Sequence, residues 1–191
     1  MTEESPRKKA IQPEMLVGLS AVFIGVCALV VSLYEASLMR EEQRASVLPI
    51  IELARSHYTK EDSPDKWRLS LHAENVGIGP ALIGDFRVTV DGKAHPTWRS
   101  AFTALLGDDV QLSYGQSTIN GRTIPADRMI TMFELSNTEI ATDIMANFDR
   151  LNFEACYCSV FDECWKTDYA TGFSESASVT ACAATAESFQ E

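Results

Sequence analysis

The sequence predicts a mainly β protein: one N-terminal transmembrane helix followed by an antiparallel β-sandwich with two short helices. Three observations carry this. An uncharged apolar run covers residues 15–34, strong helix formers follow it towards Pro49, and beyond that proline the apolar residues switch to a period of two. The chain has 191 residues, 46% of them hydrophobic and 23% charged. What remains after a membrane segment is the size of one domain with its own core.

The run from Met15 to Tyr34 reads MLVGLSAVFIGVCALVVSLY, bounded by Glu14 and Glu35. As a helix rising ~1.5 Å per residue it is about 30 Å long, enough to cross the hydrocarbon core of a bilayer. Neither Tyr34-Glu35-Ala36 nor Glu35-Ala36-Ser37 offers a small-x-small cleavage site, so residues 15–34 read as an uncleaved transmembrane helix. Residues 1–14, polar and holding Pro6 and Pro13, read as a disordered cytoplasmic tail. Residues 35–46 (EASLMREEQRAS) favour helix and form a juxtamembrane helical extension, which Pro49 stops. Arg7, Lys8 and Lys9 precede the span and only Arg40 and Arg44 follow closely, which tilts the positive-inside rule towards a cytoplasmic N-terminus. The expected address is the inner (plasma) membrane, single-pass, with the C-terminal domain extracytoplasmic.

Residues 47–182 form the expected β-sandwich domain. Apolar and polar residues alternate through Trp67–Ala73 and again through Phe86–Val90, which ends in the hairpin signal Asp91-Gly92. Further strands are expected at Leu48–Leu53, Ser117–Ile124, Arg128–Leu135, Leu151–Phe161 and Cys164–Tyr169. A first helix is expected over Pro96–Leu106, with Pro in its first turn, Trp98, Phe102 and Leu105 on one face, and Gly107 as its stop. A second opens at Ser136, whose spacing to Glu139 makes a capping box, and carries Ile140, Ile144 and Phe148 at helical spacing. About seven short strands separated by turn signals point to a two-sheet sandwich of immunoglobulin-like type, a small barrel being the alternative. Residues 183–191 read as a flexible tail.

Two stretches carry a resemblance: Tyr34-Glu35-Ala36-x-x-Met39-Arg40-Glu41-x-Gln43-Arg44-Ala45-Ser46-Val47-x-Pro49, and Asn75-Val76-Gly77-Ile78-Gly79-Pro80-Ala81. Together they resemble a group of uncharacterised bacterial single-pass membrane proteins with an immunoglobulin-like extracytoplasmic domain. The resemblance implies a bacterial inner-membrane address and no activity, cofactor or catalytic residue. Read from the residues alone, Gly77 and Gly79 open backbone angles closed to other residues, and Pro80 holds Gly79 extended, which favours a sharp connection between strands.

Cys27 lies in the span, whereas Cys156, Cys158, Cys164 and Cys182 fall near the C-terminus as an even set suited to disulfides in an oxidising compartment. On the strand from Leu151, alternation puts Leu151, Phe153, Tyr157 and Phe161 on one face and leaves Cys156 and Cys158 on the other. Same-face neighbours bond each other only with distortion, so Cys158–Cys164 and Cys156–Cys182 are favoured, the swapped pairing remaining open. Structural staples are the expected role. A thiol oxidoreductase using this cluster is the alternative, although Glu154, Asp162 and Glu163 would raise a nearby thiol pKa.

No other chemistry is legible. The G-x-S-x-G, H-E-x-x-H and glycine-rich phosphate signatures are missing. His57, His72 and His95 are scattered and hold no metal spacing to a cysteine, His95 being placed to cap a helix. Asp108-Asp109 and Asp162-Glu163 read as solvated charge, and Trp67, Trp98 and Trp165 as core or partly buried. No catalytic residue, cofactor or metal is therefore expected. The net charge of −11 argues against nucleic acid as a partner. Gly18, Ala21, Gly25, Ala28 and Ser32 form a seam of small residues along the span, a face on which a second helix could pack closely. The function expected is a membrane-anchored, non-enzymatic interaction or accessory module. Its partners are the bilayer and either another envelope or membrane protein or a second copy.

Overall fold

A computed structural model describes residues 13–60, 63–108, 111–170 and 176–190. The chain divides into two units, residues 1–45 and 46–191. In the first, one uninterrupted helix, α1 (Pro13–Ala45), joins the predicted span to its extension. It begins two residues inside the predicted tail, because proline is tolerated in a first turn where the missing N–H has no partner to lose. The remainder of that predicted tail, residues 1–12, lies outside the described residues. Helix α1 is long and apolar enough to cross a membrane, and its apolar side chains are unburied.

The second unit is a β-sandwich. In chain order its elements are β1 (Ile51–Lys60), β2 (Ser63–Asn75), β3 (Ala81–Val90), β4 (Lys93–His95), α2 (Trp98–Leu106), β5 (Tyr114–Gln116), β6 (Thr123–Ile124), β7 (Arg128–Leu135), α3 (Thr138–Ala146), a 3₁₀ turn (Phe148–Arg150), β8 (Leu151–Cys158), β9 (Cys164–Asp168) and β10 (Ala177–Val179). A four-stranded sheet runs β1-β2-β7-β5, and a second runs β10-β9-β8-β3-β4, with β6 on β3. Every pairing is antiparallel. The first order is the A-B-E-D sheet of the immunoglobulin fold, and β9-β8-β3-β4 is its G-F-C-C′ sheet. That topology excludes the small barrel.

Alternation builds the core. Leu69, Leu71 and Ala73 of β2 face Phe86, Val88 and Val90 of β3 and Phe153 and Tyr157 of β8, all buried. Helix α2 adds Trp98, which packs on Phe86, Phe102 and Phe133 with ring centroids 6.3, 5.8 and 5.3 Å away. The β3–β4 hairpin turns at Asp91 and Gly92, both with positive φ (50° and 78°), as a two-residue type I′ loop requires.

Several expectations need correction. The N-cap of α2 is Thr97, whose side chain accepts from Ser100 N at 3.1 Å. Pro96 thus stands before the helix, and His95 is a strand residue. Helix α3 is capped by Asn137, which accepts from Ile140 N, and not by Ser136. The strand expected over Ser117–Ile124 survives only as β6, while β5 forms just before it. The first strand begins at Ile51 and runs on to Lys60.

The Asn75–Ala81 stretch links the two sheets for a reason other than the one read from sequence. Neither Gly77 nor Gly79 has a positive φ. They are glycines because a Cβ would strike backbone: Ile50 N at 2.4 Å from Gly77, and Val47 O at 1.9 Å from Gly79. Asn75, fully buried, holds this close approach with four side-chain hydrogen bonds. Its Nδ2 donates to Gly79 O (2.8 Å) and Ile124 O (2.9 Å), and its Oδ1 accepts from Gly77 N (3.0 Å) and Ile50 N (3.2 Å).

The C-terminal segment, expected to be flexible, is docked. Phe189 is 3% exposed and packs on Trp98 and Phe86 at 4.9 and 5.6 Å. Its N–H donates to Phe86 O, and Gln190 N donates to Pro96 O. Asn120 Nδ2 closes the contact by donating to Phe189 O.

Candidate interaction surface

Strand β8 positions the cysteines. Its inward residues Leu151, Phe153, Ala155 and Tyr157 are buried, which turns Cys156 and Cys158 outward. Phe161, expected on the same face of the strand as Leu151, Phe153 and Tyr157, falls instead in the exposed turn beyond the strand. The structure pairs Cys156 with Cys182 and Cys158 with Cys164. The first bond carries the C-terminal segment over β3, where Gly84 makes room: a Cβ there would lie 2.6 Å from Cys182 Cβ. The sulfurs of Cys158, Cys164 and Cys182 lie within 4.8 Å of one another. Bonded in pairs they carry no thiolate, which both metal ligation and nucleophilic attack require.

Beside this cluster lies a shallow polar groove of about 180 Å³. At its centre Arg87 Nε bonds Asp85 at 2.8 Å, and its Nη1 lies 3.7 Å from Glu154 and from Glu187. Lys166 completes the set with a 2.7 Å ion pair to Glu154. Asp85 also accepts from Ser188 Oγ, so the charges are spent on holding the C-terminal segment. A wider groove, about 500 Å³, follows β5 past Tyr114, Gln116, Thr131 and Glu134, with no histidine or cysteine lining it. His72 and His95 titrate below the ordinary histidine value because burial disfavours the charged ring. The Asp91 carboxyl is held low chiefly by its hydrogen bond from Arg150, with a 2.6 Å ion pair between them. None of these groups forms a nucleophile–base pair.

The surface feature that stands out is apolar. Leu48, Ile50, Val76, Ile78 and Met129 are exposed, Ile78 to 66%. They share the outer face of the four-stranded sheet at one end: Val76 N bonds Ile50 O, Ile78 N bonds Leu48 O, and Met129 lies opposite Glu74. Leu82, opposite Cys158 at the start of β3, and Val160 and Phe161, in the turn after β8, are exposed at the same end on the other sheet. Among the residues of this unit whose burial is described, which also leaves out 58–67, these are the exposed large hydrophobics. Ser46 opens the unit, so the chain enters the sandwich at the apolar end.

The seam residues Gly18, Ala21, Gly25, Ala28 and Ser32 all lie exposed on α1, and a Cβ at Gly18 or Gly25 would meet nothing within 4 Å. Sequence reasoning found the seam and the cysteines but missed the apolar end. Its signal was present in Asn75-Val76-Gly77-Ile78-Gly79, where polar and glycine residues take the inward positions and the apolar ones are left outside. Fold and surface together define a helix able to span a membrane joined to an immunoglobulin-like sandwich with one apolar end. No family model matches the chain, and no curated protein matches it.

Proposed function

We propose that this protein is a membrane-anchored, non-enzymatic interaction module that presents its sandwich outside the cytoplasm and binds protein through the apolar end. The grouping of exposed Leu48, Ile50, Val76, Ile78 and Met129 on one sheet face at that end is the observation that carries the reading. Leu48, Ile50, Val76, Ile78 and Met129 lie together on the outer face of the four-stranded sheet, and contiguous exposed apolar surface marks interaction sites. The disulfides support an oxidising compartment, and α1 supports a single-pass anchor in the inner membrane with a cytoplasmic N-terminus. The resemblance to bacterial single-pass proteins agrees with that address.

A photo-crosslinking amino acid placed at Ile78, and separately at Lys93 beside the far hairpin, tests the reading in native membranes. Ile78 is expected to give a discrete protein adduct that Lys93 does not. Equal adducts from both positions, or none from Ile78, would remove the apolar end as a binding face.

A further inference from the structure

We infer that the two disulfides are coupled by exchange. When a dithiol reductant opens Cys156–Cys182, the Cys182 thiolate attacks Cys158–Cys164 and anchors the C-terminal segment again, two residues further along β8.

The geometry brings the two bonds together. Cys158 and Cys164 stand directly opposite each other on β8 and β9, and the Cys182 sulfur lies within 4.8 Å of both of theirs. It also lies 3.8 Å from the carbonyl oxygen of Trp165, the residue after Cys164, so the C-terminal segment carries Cys182 to the edge of β9 as well as to Cys156. Cys156 and Cys182 line the polar groove of about 180 Å³, which opens their bond to a small reductant. Cys164, by contrast, is buried. The first attack therefore falls on Cys156–Cys182.

A reductant thiolate that attacks Cys156 forms a mixed disulfide there, and Cys182 leaves as the thiolate. Its attack on the half-buried Cys158 makes Cys158–Cys182 as Cys158–Cys164 breaks. The electron pair departs on Cys164, which takes up a proton. The second thiol of the reductant then releases Cys156 as a free thiol, so one disulfide is reduced in sum and one remains. A sulfur held in place by the fold reacts ahead of a dissolved thiol at about millimolar concentration. The segment that ends in the docked Phe189 thus stays covalently attached through the loss of its first anchor.

The test treats the full chain in detergent with limiting dithiothreitol, traps free thiols with N-ethylmaleimide and maps linked peptides by mass. Among singly reduced chains, about a tenth or more should carry Cys182 linked to Cys158 or Cys164, with Cys156 trapped as a thiol. Singly reduced chains that show only the original links overturn the coupling. So do equal yields of Cys156 linked to Cys158 or Cys164, which mark random scrambling in an unfolded chain. Cys156→Ser poses the same question without reductant: a variant with the parent's near-ultraviolet circular dichroism should show Cys182 linked to Cys158 or Cys164 and the displaced thiol trapped. A folded variant in which Cys182 is wholly trapped as a thiol also overturns the coupling, and if the variant does not fold, the parent chain decides.

Discussion

Replacing Asn75 by Ala should cost the sandwich about 3–5 kcal/mol. The side chain is fully buried and makes four hydrogen bonds, so its loss strands the Gly79 and Ile124 carbonyls and the Gly77 and Ile50 amides. A buried polar group left unpaired costs about 1–3 kcal/mol, and relaxation towards water returns part of the total. A domain of this size shifts by about 2–4 °C per kcal/mol, so the midpoint should fall by roughly 10 °C. Asn75→Asp should be worse at neutral pH, since an acceptor-only carboxylate would face two carbonyl oxygens. Its carboxyl would hold its proton more tightly folded than unfolded, so that variant should regain stability as pH falls. Gly79→Ala should lose more than about 3 kcal/mol, because the collision is with the Val47 backbone, which no rotamer change relieves. The assay is thermal unfolding of the full chain in detergent under non-reducing conditions, followed by near-ultraviolet circular dichroism of the buried aromatics. An Asn75→Ala midpoint within about 2 °C of the parent would refute the clamp, since that corresponds to less than ~1 kcal/mol.

Other consequences follow from the same structure. Cys156→Ser with Cys182→Ser opens a separation of 26 residues and should cost about 3–4 kcal/mol, against about 2 kcal/mol for Cys158→Ser with Cys164→Ser across 6 residues; denaturant midpoints in the reverse order would contradict this. Phe189→Ala should lose about 3–4 kcal/mol, because it empties a buried site between Phe86 and Trp98. Limited proteolysis should then release the C-terminal residues, and an unchanged digest would show that the segment is not held by that ring. His72 has a folded pKa below 6.5, so its contribution is present above that value and declines as pH falls below it. Unfolding measured across this range should show that slope flattened in His72→Gln, and an unchanged slope would place the titration elsewhere.

The strands were legible where one face packs and the other is wet. β7 runs over the span expected, and β8 and β9 begin where expected, because alternation continues up to their turns. The helix starts were misread because cap-forming residues compete: Ser136 and Asn137 are adjacent, as are Pro96 and Thr97, and tertiary packing chose the second of each pair. Phe189 gave no local sign of burial, since the gap it fills is made by Phe86 and Trp98, distant in sequence. Gly77 and Gly79 were recognised as special but for their angles, whereas the cause is the chain crossing at Val47–Ile50. The cysteine pairing was favoured in advance because one strand's alternation fixed which thiols share a face. The apolar end was hidden for the opposite reason. Val76 and Ile78 look like core residues by type, and their outward turn shows only once Asn75, Gly77 and Gly79 are seen to take the inward positions beside Leu48 and Ile50.

The central claim, a membrane-anchored sandwich held outside the cytoplasm, is tested most directly by labelling intact cells with a membrane-impermeant thiol reagent before and after reduction, and mapping the labelled cysteines by mass. Cys156, Cys158, Cys164 and Cys182 are expected to label on intact cells only after reduction. Labelling of these four only after lysis, and without reduction, would place the domain in the cytoplasm with free thiols and contradict it.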